Sequence, residues 1–289
     1  MGVDLHTHTT TSDGTDSPAR LVGAAAALGL SAVAITDHDT TQGLEEARKA
    51  AAQVGIELVE GVELSLEWRR GAMHLLVLMM DDPDWLSSRL EEVRAGRVRR
   101  NLEIVERLRA QGVPVTIEQV RAEGGRGTIG RPHFASLLVK MGYVTDIPEA
   151  FVRYLGKGCP AYVHRYRLGP AEAIELAHRA GGVAILAHPL TLGVEGVELS
   201  VVLGELAAAG LDGMEAYYGA YGPGTRRTLA GLARRHGLIP SGGSDYHGRF
   251  KPETRLGVGR GDLEVPDEVL AELRAAAAGY PGIRVREKP

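Results

Sequence analysis

Short apolar runs alternate along the chain with alanine-rich or amphipathic stretches. Val3–His8 alternates as a strand does, and Ala32–Thr36, Ile56–Leu66, Met73–Met80, Val183–Ala187, Gly213–Ala216 and Leu238–Ser241 read as further strands. Predicted helices separate many of them. Pro18–Leu28 has Ser17 as its N-cap and Pro18 at the first helical position. Thr41–Val54 follows, and Pro170–Ala180 is stopped by Gly181. Further helices are expected near Glu198–Ala209, Gly224–His236 and Asp267–Ala278. This alternation predicts parallel strands joined by crossover helices. About seven such strands in roughly 220 residues suit a barrel of βα units better than a small open sheet.

Residues 97–165 break the rhythm, being helical, Arg-rich and poor in strand patterns. They are expected to form an inserted subdomain, with residues 1–96 and 166–289 forming the barrel. Charge sharpens the picture. The chain carries a net −4, yet residues 94–167 alone carry +8 and the remainder −12. A basic segment beside an acid-rich body suggests an anionic ligand held over a site built from carboxylates. The single cysteine, Cys159, excludes a disulfide framework and any CxxC motif, and points to a reducing, cytoplasmic setting. No apolar run approaches the ~18 residues of a membrane span. The opening MGVDLHTHT leaves no room for a signal peptide, and His6 breaks the myristoylation pattern. With aromatics at only 5%, a long nucleic-acid track is not expected.

The candidate chemistry lies in where the histidines and carboxylates fall. His6 and His8, two apart on a strand, leave by the same face. Asp245 and His247 repeat that spacing after the last strand. His38 and His188 directly follow strands, Glu63 and His74 lie on strands, and Asp13 sits in the first loop. In a parallel barrel the C-terminal ends of strands converge on one mouth, so these nine side chains would share a rim. Imidazole and carboxylate suit divalent transition ions. Nine ligands with a bridging carboxylate fit two or three ions, and closely spaced ions suit phosphoester hydrolysis. His178 and His236 read as structural, the latter at a helix end. Asp37, Asp39 and Glu215 are candidates to orient ligands. Tyr217, Tyr218 and Tyr221 read as core or rim packing, and His164, at the exit of the insert, as a candidate substrate contact.

DLHTHTTTSDG, ITDHDT, GVELS, the isolated His74, LAHP and GSDYHG, in that order over residues 4–248, resemble the signatures of the PHP (polymerase and histidinol phosphatase) family. GRPHFA at 130–135 and YLGKGCPAYV further resemble its stand-alone phosphoesterases. That branch includes nucleoside 3′,5′-bisphosphate phosphatase and 5′→3′ exoribonuclease. The resemblance implies an α/β fold, a distorted (β/α)7 TIM-like barrel with a small helical insert. It also implies a trinuclear metal centre. His6, His8, Glu63 and Asp245 match one ion's ligands, Asp13, His38 and His247 a second's, and Glu63, His74 and His188 a third's, with Glu63 bridging. Two or three divalent ions are expected, among Mn, Zn, Fe and Mg. Asp13, where some members have histidine, favours a harder ion such as Mn²⁺ or Mg²⁺ at the second position.

Glu63 and Asp245 are then expected to be essential to turnover, which would proceed by attack of a metal-bridging hydroxide. Arg131, in a Gly-rich turn, is expected to clamp phosphate, and His133 to bind phosphate or protonate the leaving oxygen. Lys157 and Arg126 are candidates for a second phosphate. No GK[ST] follows the glycines, so this is no P-loop. The expected substrate is a small phosphorylated molecule, a 3′,5′-bisphosphonucleotide or short 5′-phosphorylated RNA, with no membrane and no obligatory protein partner. The alternatives are a small-metabolite phosphatase of the histidinol phosphate kind and a non-catalytic PHP scaffold. An amidohydrolase acting on C–N bonds fits less well, since its metal-bridging lysine has no counterpart here.

Overall fold

The computed structural model describes residues 2–124, 129–164 and 167–280. Seven strands form one sheet in chain order: β1 (Val3–Asp4), β2 (Ala32–Ile35), β3 (Glu57–Leu66), β4 (Met73–Leu78), β5 (Val183–Leu186), β6 (Gly213–Tyr218) and β7 (Ile239–Gly243). The first and last strands meet along a seam. Leu5 N–H donates to Gly242 O at 3.3 Å, Asp245 N–H to His6 O at 2.8 Å and His8 N–H to Tyr246 O at 2.9 Å. The sheet is thereby curled into the distorted seven-stranded barrel.

β4 departs from the expected parallel order, pairing antiparallel with both β3 and β5. The cause is the connection: residues 67–72 are too few for a crossover helix, which needs about a dozen residues or more. They form a tight return in which Gly71 abuts the Thr191 carbonyl so closely that a Cβ would stand 1.9 Å from it. Only glycine passes there.

Outside the sheet lie α1 (Pro18–Ala27), capped by the Ser17 side chain accepting from Arg20 N–H, and α2 (Leu44–Val54), which ends at left-handed Gly55. α3 (Pro83–Arg89) and α4 (Glu91–Ala110) lead into the insert. There α5 (Ile117–Gly124), α6 (Arg131–Lys140) and α7 (Ile147–Ala150) follow, the last running into a short π-helical turn. α8 (Pro170–Arg179), α9 (Gly196–Ala208), α10 (Pro223–Arg235) and α11 (Glu268–Ala277) complete the chain's described helices.

Strand period sorts the core. Val33 and Ile35 join the cluster that packs the outer helices, whereas Ala32 and Ala34 join an inner cluster with Leu76, Leu78 and Ile185, plugged by Leu270 and Leu273 of α11. A third cluster draws only on residues 104–163, among them Ile104, Leu108, Phe134 and Leu138. α4 spans the gap, giving Val93 to the barrel core and Ile104 to the insert's.

Candidate metal centre

All nine side chains singled out in the sequence meet at one end of the barrel. His6 and His8 extend β1 and are fully buried. His6 Nε2 and His8 Nε2 lie 3.1 Å apart. Glu63 Oε2 is 3.4 and 3.2 Å from these two nitrogens, and Asp245 Oδ1 is 3.6 and 3.4 Å from them. Donors bonded at about 2.1 Å around a tetrahedral ion stand about 3.4 Å apart, so these four atoms have the spacing of a ligand shell. Asp13 gathers a second group: Oδ1 lies 3.4 Å from His247 Nε2 and 3.7 Å from His8 Nδ1, and Oδ2 lies 3.6 Å from His38 Nε2. Glu63 Oε1 gathers a third, 2.8 Å from His74 Nδ1 and 2.9 Å from His188 Nε2.

Glu63 is therefore the hub, and its Oε2 also stands 3.0 Å from His38 Nδ1. That short distance is not a hydrogen bond in geometry: His38 Nδ1, like His8 Nδ1, is buried without a hydrogen-bond partner. Buried imidazole nitrogens that face carboxylate oxygens without a hydrogen bond between them fit a shared divalent cation. The overlapping groups His8–Asp13–His38–His247, His6–His8–Glu63 and His38–Glu63–His74 each place their donor atoms within 4.8 Å of one another.

Charge in this buried site is tightly coupled. Burial opposes a proton on His6, but Glu215, Glu63 and Asp245 outweigh it and hold its pKa well above the ordinary value. His8 is raised likewise to about 9, burial being overcome by Asp245, Glu63 and Asp13. Burial dominates at His38 and lowers it to about 3. Burial would raise Glu63, Asp13 and Asp245, yet the imidazoles around them, His38 first at Glu63 and Asp13, and Lys251 at Asp245 hold all three well below the carboxylate range.

Backbone strain collects here too. Among described non-glycine residues, Asp39, His188 and Asp245 all have positive φ, at 55°, 25° and 57°. Asp37, flanking His38, folds the first loop by accepting from Thr9 N–H, Thr9 Oγ1 and Ser12 Oγ. Asp39 accepts from Ser65 N–H and pairs with Arg97. Two site residues escaped the sequence reading. Lys251 Nζ sits 2.5 Å from Asp245 Oδ2, and Tyr218 donates to the same oxygen at 2.7 Å. Tyr218 falls in the tyrosine cluster read as packing. Lys251 follows the DxH pair by four residues, a spacing with no periodic meaning in a loop.

Beside the cluster opens a cleft of about 950 Å³. Asp13, His38 and His247 form its polar end. Its walls are Phe250 and Lys251 on one side and Pro132, Val139, Ile147, Pro148 and Phe151 of the insert on the other. Arg131 starts α6, donates to Leu155 O at 3.1 Å and lies 5.6 and 5.8 Å from the ring centres of Phe151 and Tyr162. His133 is buried, with Nδ1 accepting from Gly130 N–H at 2.9 Å and Nε2 without a partner. Its ring meets the edge of Phe250. Lys157 turns to the Arg69 carbonyl, 2.9 Å away, and does not line the cleft. Arg126 lies outside the described residues. His178 pairs with Asp212 and stacks on Tyr280, and His236 meets Ser200 Oγ, as structural histidines do. His164 is exposed, 3.7 Å from Glu67.

A β/α barrel with imidazoles and carboxylates converging on its mouth is the architecture of a metal-dependent hydrolase. The model of the PHP domain matches residues 4–88. The chain is 39% identical over 245 residues to a 5′-3′ exoribonuclease of Haemophilus influenzae, covering 84% of this chain and 89% of that protein. It is 36% identical over 247 residues to the 3′,5′-nucleoside bisphosphate phosphatase of Chromobacterium violaceum, covering 85% and 87%. A solved structure from Bifidobacterium adolescentis, assigned to the metal-dependent phosphoesterases, superposes with a TM-score of 0.83 at 36% identity over 95% of this chain and 96% of that one. The chain belongs to the PHP family.

Proposed function

We propose that this protein is a metal-dependent phosphoesterase acting on small nucleotides that carry a terminal phosphate. The observation that carries the reading is Glu63, a single buried carboxylate whose two oxygens stand within 3.4 Å of five imidazoles, those of His6, His8, His38, His74 and His188. His6, His8, Asp13, His38, Glu63, His74, His188, Asp245 and His247 would hold two or three divalent ions, Mn, Zn, Fe or Mg. Such ions supply positive charge for the phosphoryl oxygens and lower the pKa of a shared water.

The chain's own groups set up the rest. Tyr218 and Lys251 hold Asp245 Oδ2, so that Oδ1 faces His6 and His8. Lys251 also lines the cleft and brings a cation to its polar end. His133 accepts at Nδ1, so its neutral form carries the proton on Nε2, the tautomer of a hydrogen-bond donor. The apolar wall formed by Phe250, Phe151 and Pro148 suits the flat face of a base. The names of the relatives support nucleotide or RNA phosphoesters as the substrate class. The single, half-buried Cys159 supports a cytoplasmic setting. None of the described helices is long and apolar enough to cross a membrane.

The test is phosphate release by Mn²⁺-loaded protein from adenosine 3′,5′-bisphosphate, beside nucleotide release from a short 5′-phosphorylated RNA. Fast phosphate release with AMP as product is expected, and Glu63→Ala and Asp245→Ala should lose turnover and metal together. Stepwise mononucleotides from the RNA alone would make the protein an exoribonuclease. Inactivity on both with metal bound would overturn the nucleotide reading in favour of another phosphoester.

A further inference from the structure

The cluster carries a cation of the protein's own. The two oxygens of Asp245 keep different company. Oδ1 stands 3.6 and 3.4 Å from His6 Nε2 and His8 Nε2, in the group that has the spacing of a ligand shell. Oδ2 takes Lys251 Nζ at 2.5 Å and the Tyr218 hydroxyl at 2.7 Å. Among the described ion pairs, Lys251 is the one lysine or arginine that pairs with a carboxylate of the nine converging side chains. The loop is built to deliver it. Gly248 follows His247 with a φ of 63°, and a Cβ there would stand 2.0 Å from Thr15 Oγ1. Thr15 Oγ1 accepts from Arg249 N–H at 3.1 Å, Lys251 N–H donates to Gly248 O at 3.1 Å, and Lys251 O accepts from Thr254 N–H at 2.9 Å. The backbone is thus tied on both sides of Lys251. Its side chain lines the cleft with Asp13, His38 and His247, and 36% of it stays exposed, against 4% of Asp245.

A positive charge at this point works against the ions. It claims one oxygen of a carboxylate that an ion would otherwise have to itself, and it repels a divalent cation at Oδ1 across the width of that carboxylate. A site built only to hold metal would do better with a neutral side chain at position 251, since the Tyr218 hydroxyl is already a neutral donor to Oδ2. An anion in the cleft is what benefits. A phosphoryl group that meets both the ions and a partly exposed ammonium is drawn in and held by charge-assisted hydrogen bonds.

We propose that Lys251 is a resident cation of the centre that sets ion affinity against phosphate affinity. It loosens the ion held through Asp245 and draws the substrate's scissile phosphoryl group to the polar end of the cleft. The proposal rests on the metal-dependent phosphoesterase reading and adds the residue that balances ion against substrate.

The experiment titrates Mn²⁺ into EDTA-stripped wild type, Lys251→Met, Lys251→Arg and Tyr218→Phe, and then inorganic phosphate into each loaded protein, both by calorimetry. Lys251→Met keeps the aliphatic stem and removes the charge. Its Kd for Mn²⁺ should fall about tenfold or more, the scale of removing a like charge beside a buried site. Once it is loaded, its Kd for phosphate should rise about tenfold or more, the scale of a lost hydrogen bond to a charged group. Lys251→Arg should bring both values back toward wild type. Tyr218→Phe removes a neutral donor from the same oxygen and should not tighten Mn²⁺. Lys251→Gln, polar and uncharged, carries the same expectations if the methionine variant fails to fold. Equal or weaker Mn²⁺ binding in the uncharged variants would make Lys251 a brace for Asp245 and overturn the proposal. Unchanged phosphate binding would overturn it too. So would a tightening in Tyr218→Phe that matches the one in Lys251→Met, because the cause would then be a freed oxygen and not a charge. A wild type that takes up no Mn²⁺ refutes the metal centre itself, a result distinct from all of these, and the proposal falls with it.

Discussion

His6 is held from behind by Glu215. The imidazole Nδ1 lies 3.0 Å from Glu215 Oε1, and both side chains are fully buried. The other oxygen of Glu215 accepts the backbone N–H of His188 at 2.7 Å, at a residue whose φ is 25°. One carboxylate thus turns His6 Nε2 toward Glu63 and fixes the backbone that carries His188. Glu215→Gln keeps the shape and weakens that hold. Metal affinity should fall about 10- to 100-fold, the usual scale for such supporting partners, with the fold retained. Metal titration of an EDTA-stripped sample checks it, and an unchanged affinity would remove Glu215 from this role.

At Gly243 β7 comes close to the extension of the first strand. A Cβ there would stand 2.4 Å from His6 N and 2.5 Å from His6 Cβ, so neither partner can accommodate it without moving backbone. Gly243→Ala should destabilise by about 1–3 kcal/mol, the cost of overpacking a tight core, and should weaken metal loading through the displaced His6. Urea unfolding of the metal-free variant isolates the first effect. Wild-type stability there would contradict the contact.

Protons and the proposed ions would compete for the same groups. His8 has a folded pKa of about 9 against an ordinary 6.5. Its stabilising contribution is therefore complete below pH 6.5 and is lost as pH rises through 9. Glu63, Asp13 and Asp245, held below their usual range, contribute above their ordinary pKa and lose that contribution as pH falls through the depressed values. EDTA-treated protein should lose stability on going from about pH 6.5 to 9.5, while Mn²⁺-loaded protein should not, since the ion then balances the carboxylates. Parallel urea midpoints for the two forms across that range would refute the coupling.

Phe250 forms the apolar wall of the cleft opposite Phe151 and touches His133 edge-on at 5.5 Å between ring centres. Base stacking on an aromatic ring is worth about 1–3 kcal/mol. Phe250→Ala should raise KM for a nucleotide about tenfold and change KM for a phosphoester without a base far less. Equal changes for both would place the base elsewhere.

Most of the candidate cluster was legible because strand geometry is simple. A two-residue spacing puts His6 with His8, and a position just past a strand puts His38 and His188 at the barrel's mouth. His74 arrived for a different reason than parallel order suggested. It lies near the start of antiparallel β4, directly across from Ser65, so the mouth receives the beginning of this strand rather than its end. The six-residue return before β4 was the available sign. What depends on side-chain direction was not legible. Nothing in a loop sequence says that Lys251 turns to Asp245 while Lys157 turns to the Arg69 carbonyl. The PHP resemblance carried Arg131, but spacing along α4 gave no hint that Arg97 would be enclosed between two cores.

The seam between β1 and β7 joins residues more than two hundred positions apart, through a few backbone hydrogen bonds and one isolated parallel bridge from Thr7 to Tyr246. His6 and His8 stand on one side of it, Asp245 and His247 on the other, and the proposed ions would draw ligands from both. The cofactor would then be a clasp as well as a reagent. Amides on either side of the seam should exchange with solvent faster in the stripped protein than those of the β3–β4 hairpin, whose closure needs only a local turn. A cell short of metal would hold a barrel already loosened along one line, and that line would be where proteolysis begins.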